Sequence, residues 1–244
     1  MTVLVGVKCT DGIVIGADSA ATSAAGQVNL LKMAADKIDI IDGRVIVAGT
    51  GQVGLGQRFS AVVKTAHGAK MFQKTPIELA KYLCAQGVND FGSTNATKGT
   101  YGALVAAPID DQGQLIEFAT TDFQPELKND KMNFVSMGSG QMLAEPFLSF
   151  VSRTFWNSRI PDLKSAIFGV YWALWHTIQC APGGVGHPIV LATLAKEKKG
   201  WEAHLISDDQ LGEQAQHMAL IEERIGQYRS EMFQTVEPVP IPKP

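Results

Sequence analysis

Two Asp-Gly pairs, Asp11-Gly12 and Asp42-Gly43, each lie between short apolar runs. Asp-Gly between strand-like segments is a strong hairpin signal, because both residues tolerate the positive φ that tight turns require. Before the first turn, residues 2–8 alternate, with Val3, Val5 and Val7 on one face, and Ile13 to Ala17 follows as a second strand. Lys37 to Ile41 and Arg44 to Val47 flank the second turn. A chain that opens on two hairpins is committed to antiparallel sheet. The small-residue stretch between the two hairpins reads as a loop.

Helices then arrive in pairs. Gln57 to Met71 has helical character, and Thr75-Pro76-Ile77-Glu78 is a capping box with proline at the first helical position, opening a helix to about Val88. Strands are expected at 101–107, 115–121 and 133–137, and helices at 140–155 and 162–178. Ile189–Ala195 and Trp201–Ile206 make a closing hairpin, Glu213–Phe233 a polar helix, and the proline-rich end an extended tail. Paired helices between hairpins leave no regular βαβ crossover. The expected fold is α+β, a four-layer αββα sandwich of two antiparallel sheets. One domain spans 1–212, and 213–244 adds a helix and tail.

Composition narrows the function classes. Apolar residues make up 45% and charged residues 18%, and the net charge of −3 gives no electrostatic case for nucleic acid. The beginning of the chain lacks a basic region and an apolar core, so no signal peptide is read there. The stretch SAIFGVYWALWHTI is too short to span a bilayer. Cys9, Cys84 and Cys180 show no metal spacing, and reduced thiols in a cytoplasmic chain are expected. His67, His176, His187, His204 and His217 are scattered, and neither a metal nor a cofactor is assigned. Trp172 and Trp175 read as core or subunit contact.

AGTGQVGLG, residues 48–56, follows a strand and fits the glycine pattern of a dinucleotide-binding loop. That reading needs a second strand closed by an acid about 20 residues on. The region holds a junction between two helices instead, so nucleotide binding fails its own test.

The chemistry points to Thr2. Removal of Met1 would expose a residue carrying a hydroxyl nucleophile together with a primary amine of reference pKa about 7.7–8.0, a base suited to neutral pH. Four ordered segments give this residue its company: TVLVGVKCTDGIVIGADSAAT, DKIDI, TGQVGLGQ and MGSGQ. Together they resemble the proteasome β-type threonine peptidases, including the bacterial HslV peptidase. They look closest to the bacterial proteasome homologues BPH and Anbu.

The resemblance implies an N-terminal-nucleophile hydrolase fold and a threonine endopeptidase acting on unfolded polypeptide. Thr2 would supply nucleophile and base. Lys37, held cationic by Asp18, would favour the alkoxide-like hydroxyl. Ser139 would assist proton transfer, although a serine there equally suits a helix N-cap. Gly51 would aim its N–H at the developing oxyanion. Substrate would lie near Ala21, Thr22, Ala35, Gly49 and Val53, in a small apolar pocket without an acid or base that prefers apolar side chains. Assembly into stacked rings is implied, hexameric or heptameric with seven favoured, and an ATP-driven unfoldase is a possible partner. The chain departs from the family pattern at Gln179 and Pro182, where an acid and a serine are usual. Two rival readings remain. One is a catalytically silent ring subunit, and the other is an N-terminal-nucleophile hydrolase of small amides.

Overall fold

A computed structural model describes residues 2–25, 28–93, 100–181 and 184–234. Met1, Pro182 and the proline-rich tail lie outside the described residues, as do the side chains of residues 22–34. The chain divides into two compact units, Met1–Ile206 and Ser207–Pro244.

In the first unit, β1 (Leu4–Lys8) and β2 (Gly12–Asp18) form the first hairpin, with Val7 opposite Val14. The second hairpin pairs β5 (Ile38–Ile41) with β6 (Val45–Gly51). Its turn places Asp42 and Gly43 at φ of 50° and 64°, the double positive φ that the Asp-Gly pair foretold. The stretch read as a loop between them is instead a third hairpin, β3 (Ala20–Ala25) with β4 (Val28–Ala34). Its two strands pair with each other in a separate two-stranded sheet.

The remaining strands are β7 (Tyr101–Ile109), β8 (Gln112–Phe118), β9 (Pro125–Leu127), β10 (Phe134–Met137), β11 (Ile189–Glu197) and β12 (Gly200–Leu205). They build two five-stranded antiparallel sheets, in the orders β10-β1-β2-β11-β12 and β5-β6-β7-β8-β9. Strand β9 was not expected; it is three residues at a sheet edge and begins with proline, which an edge tolerates.

Alternation along the strands sorts the core into layers. Leu4, Ile13, Ile15, Ile46, Leu104 and Leu115 face inward and pack the two sheets against each other. Their neighbours Val45, Val47, Ala103 and Val105 face outward beneath two helices, α1 (Val53–Gly68) and α2 (Pro76–Gly92). Phe59 of α1 fixes that layer, meeting Phe118 and Phe123 edge-on at ring distances of 5.2 and 5.0 Å. The expected capping box at Thr75 and Glu78 is formed. The other sheet is covered by α3 (Gln141–Phe155) and α4 (Leu163–Cys180), where Trp172 is buried among Phe147, Phe155 and Phe168. The result is the four-layer αββα sandwich.

The second unit is carried by α5 (Asp208–Gln234), which starts earlier than its apolar pattern indicates because Asp208 and Asp209 suit a helix first turn. Among the described residues, no helix is long and apolar enough to cross a membrane.

Candidate active site

The site is built where four strand ends meet one helix start. Thr2 lies two residues ahead of β1, Asp18 ends β2, Lys37 precedes β5, and Gly51 ends β6 just before α1. Because β1 and β2 are paired, Asp18 comes back beside the beginning of β1, and its N–H bonds the Val3 carbonyl at 3.2 Å.

Asp18 has no exposed surface. Its Oδ1 accepts the Val3 N–H at 2.9 Å and Lys37 Nζ at 2.6 Å. Its Oδ2 accepts the N–H groups of Ala20 at 3.1 Å and Gly186 at 3.0 Å. A buried carboxylate is stable only with such compensation. The four donors compensate the Asp18 carboxylate, and Lys37, itself only 8% exposed at its side chain, is held against it. The amides of Ala20 and Gly186 are invisible to sequence reasoning, since a backbone donor carries no residue-type signal.

Thr2 is anchored from the other side. Its N–H donates to Ser139 Oγ at 3.1 Å, and its carbonyl accepts the Gly140 N–H at 3.1 Å. Ser139 does not cap α3. The cap position is Gly140, without a side-chain hydrogen bond, so the serine hydroxyl is turned to Thr2. The turn fits this closely: Gly138 has φ of +88°, and a β-carbon there would lie 2.3 Å from the Thr2 carbonyl oxygen.

Gly51 has φ of +109°, and a β-carbon there would lie 2.1 Å from the Thr100 carbonyl oxygen. No L side chain fits that position. Helix α1 begins at Val53 with Gln52 as a cap that makes no side-chain bond, so its partial positive end opens toward the same place.

A cleft of about 330 Å³ joins these elements. Thr2, Lys37 and Gly51 line it, together with the expected Ala21, Ala35, Gly49 and Val53. Thr22 lies on β3, but its side chain is outside the described residues. Asp36 and Asp39 line the cleft as well, which corrects the expectation of a wall without acids. In β5, Ile38 and Ile40 pack toward the inter-sheet core, so Asp39 between them faces the opposite way, into the cleft. That alternation is present in DKIDI, where the resemblance singles out only Lys37. Tyr101 also lines the cleft and was missed, because a tyrosine opening a strand reads as core.

The departures from the expected pattern lie elsewhere. Gln179 is exposed near the end of α4, and Pro182 is outside the described residues. His204 lies 3.5 Å from Glu197 and 3.3 Å from Glu202 on the β11–β12 hairpin, an exposed cluster that strand pairing rather than sequence spacing brings together.

A family model of proteasome subunits matches residues 2–151, more than half of the chain. The chain belongs to the proteasome subunit family. The fold of this proteasome-family chain is similar to that of Anbu (ancestral beta-subunit) from Yersinia bercovieri, with a TM-score of 0.70 and 13% identity over 98% of this chain and 100% of the other. Anbu from Hyphomicrobium sp. strain MC1 gives 0.67 and 14%, covering 98% and 100% of the two chains. A helical assembly of the Anbu complex from Pseudomonas aeruginosa gives 0.69 and 13%, covering 98% of each. At such identities the likeness is one of fold. No curated protein matches the sequence.

Proposed function

We propose that this proteasome-family chain is an N-terminal-nucleophile threonine peptidase that hydrolyses unfolded polypeptide after loss of Met1. The observation that carries the reading is the buried Asp18–Lys37 pair, 2.6 Å long, presented in the same cleft as Thr2 and Gly51. A plain surface ion pair would contribute about 0–1 kcal/mol and would not need four donors on one buried carboxylate.

The steps follow from the placements. The Thr2 amine takes the proton of its own hydroxyl as the oxygen attacks a substrate carbonyl, and Ser139 Oγ, already bonded to that nitrogen, steadies the transfer. The Lys37 charge favours the developing alkoxide. The Gly51 N–H and the start of α1 stabilise the oxyanion. Collapse expels the amine half of the substrate and leaves an ester on Thr2, which water then hydrolyses. The chain needs no cofactor for this.

Self-association fits the reading, because an internal site restricts access to unfolded segments. The helical assembly described for the Pseudomonas aeruginosa protein supports stacking of such subunits and adds an open arrangement to the closed rings of six or seven. We place the peptidase in the cytoplasm, with an ATP-driven unfoldase as its supplier.

The second reading, a silent ring subunit, draws on one observation. Gln179 stands exposed where an acid is usual. Intact-mass measurement paired with peptide hydrolysis separates the two. Activity should scale with the fraction of molecules beginning at Thr2 and vanish in Thr2→Ala, with the assembly kept. Robust hydrolysis by molecules uniformly retaining Met1 would place the chemistry elsewhere, since an amide nitrogen cannot act as the base.

A further inference from the structure

The cleft beside Thr2 carries a charge pattern that the peptidase reading leaves unused. Among the described residues, Asp36, Lys37 and Asp39 are its charged lining residues. Lys37 is ion-paired with buried Asp18. Asp36 and Asp39 form no ion pair among the described residues and are both exposed. Two carboxylates therefore stand open in the cleft beside that pair.

Tyr101 gives a second, independent sign of a ligand. The residue is only 6% exposed, yet it lines the cleft, and its hydroxyl has no hydrogen-bond partner among the described residues. The ring is buried while the hydroxyl opens onto the cleft, where a ligand can supply its hydrogen-bond partner. Gly49 makes room for it: a β-carbon at that position would lie 2.6 Å from the Tyr101 hydroxyl oxygen. Burial first, and the Asp39 carboxylate second, push the phenol up in pKa. It thus stays protonated and can accept a hydrogen bond from a cation through its oxygen.

The rest of the described wall combines small apolar residues such as Ala20, Ala35 and Val47 with polar Thr50, Gln52 and Ser60. A mixed wall leading to an acidic end matches a long side chain with a charged tip, whose methylenes pack along the apolar part while the tip meets the acids. The volume of about 330 Å³ is at the lower end for ligand clefts, roughly 300–1,000 Å³, and suits one side chain with its flanking backbone.

We infer that this cleft selects a basic side chain, lysine or arginine, at the substrate residue preceding the bond attacked by Thr2. In this arrangement Asp39 is the main counter-charge, Asp36 the second, and the Tyr101 hydroxyl an acceptor. The inference rests on the peptidase reading for the position of the bond, but not for the charge preference. An apolar side chain would desolvate two carboxylates without return, and an acidic one would be repelled. The expected order is basic, then apolar, then acidic.

The test has two arms. In the first, peptides differing only at the residue before a fluorogenic leaving group (Arg, Lys, Leu or Glu) are compared by kcat/KM. Wild type should favour Arg and Lys, and Asp39→Asn should lower the Arg-to-Leu ratio about tenfold. Asp39→Glu should keep the preference, and Asp36→Asn should lower it less. In the second, N-acetylarginine amide is titrated into the Thr2→Ala protein by NMR, with and without Asp39→Asn; the substitution should weaken binding about tenfold, and added salt should weaken only the unsubstituted protein's binding strongly. Both substitutions sit on exposed residues and are checked for fold by circular dichroism. If wild type turns over none of the peptides, the peptidase reading fails and the binding arm alone decides the cleft's preference. Dominant turnover after Leu or Glu, or an arginine-amide affinity that Asp39→Asn leaves unchanged, overturns the inference.

Discussion

Replacing Asp18 by asparagine keeps the shape of the side chain and removes its charge. The two carboxylate oxygens each take two donors: Val3 N–H and Lys37 Nζ on one, Ala20 and Gly186 N–H on the other. Asparagine offers one oxygen and one NH2 group, so in either orientation two donors face a donor. Each buried donor left unsatisfied costs about 1–3 kcal/mol. Lys37 also loses its counter-charge in a buried setting, where removing one partner of a pair costs about 3–5 kcal/mol. These terms overlap, since Lys37 belongs to both, and the sum comes to about 4–6 kcal/mol. That is a large part of a typical stability of about 5–15 kcal/mol. For a unit of this size it lowers Tm on the order of 10–20 °C. Lys37→Met should cost less, about 3 kcal/mol, because three backbone donors still hold the carboxylate. Urea unfolding at one fixed protein concentration reads both values. An Asp18→Asn protein within 1 kcal/mol of wild type, or one more stable than Lys37→Met, refutes the reasoning that the carboxylate organises this site.

Three further outcomes are expected. Gly51→Ala should cost about 2–4 kcal/mol by urea unfolding and abolish hydrolysis, because its φ of +109° and the Thr100 carbonyl at 2.1 Å leave a β-carbon no place; a normally stable, active variant contradicts this. Ser139→Ala should leave stability within about 0.5 kcal/mol but lower kcat about 10²-fold, since the hydroxyl serves Thr2 and not the α3 cap. A loss of about 1 kcal/mol of stability with full activity would instead be the mark of a helix cap. At pH 8, iodoacetamide should label exposed Cys180 first and Cys84 more slowly, as followed by mass spectrometry. Cys9 should react only on unfolding, because burial, with Asp11 and Asp162 nearby, pushes its thiol up and suppresses the thiolate.

The parts of this fold legible in the sequence are those where one side chain states one physical need. Asp42-Gly43 states a positive-φ turn, Thr75 with Glu78 states a helix start, and the alternating valines at the start of the chain state a strand. The β3–β4 hairpin was illegible because its small-residue sequence resembles a loop. Strand β9 was too short, and its pairing is dictated by β8 and not by its own residues. In the site, Thr2 was suggested by its own chemistry and Asp18, Lys37, Ser139 and Gly51 by the family resemblance, and the fold brings them together. What escaped were groups whose role depends on direction. Asp39 was readable as an acid but not as facing inward, and Tyr101 was readable as core but not as a hydroxyl reaching a cleft.

The four donors on Asp18 come from positions 15, 2, 19 and 168 residues away along the chain. The last of them, Gly186, lies beyond the residues 2–151 that mark the family, just ahead of the strand β11 that closes its sheet. A chain emerging from the ribosome therefore displays Thr2 and Lys37 long before the charge between them is fully held. Contacts of such separation form late and slowly. The proposed site is thus set by the hairpin of β11 and β12, and under the peptidase reading that hairpin would be the latch that arms it.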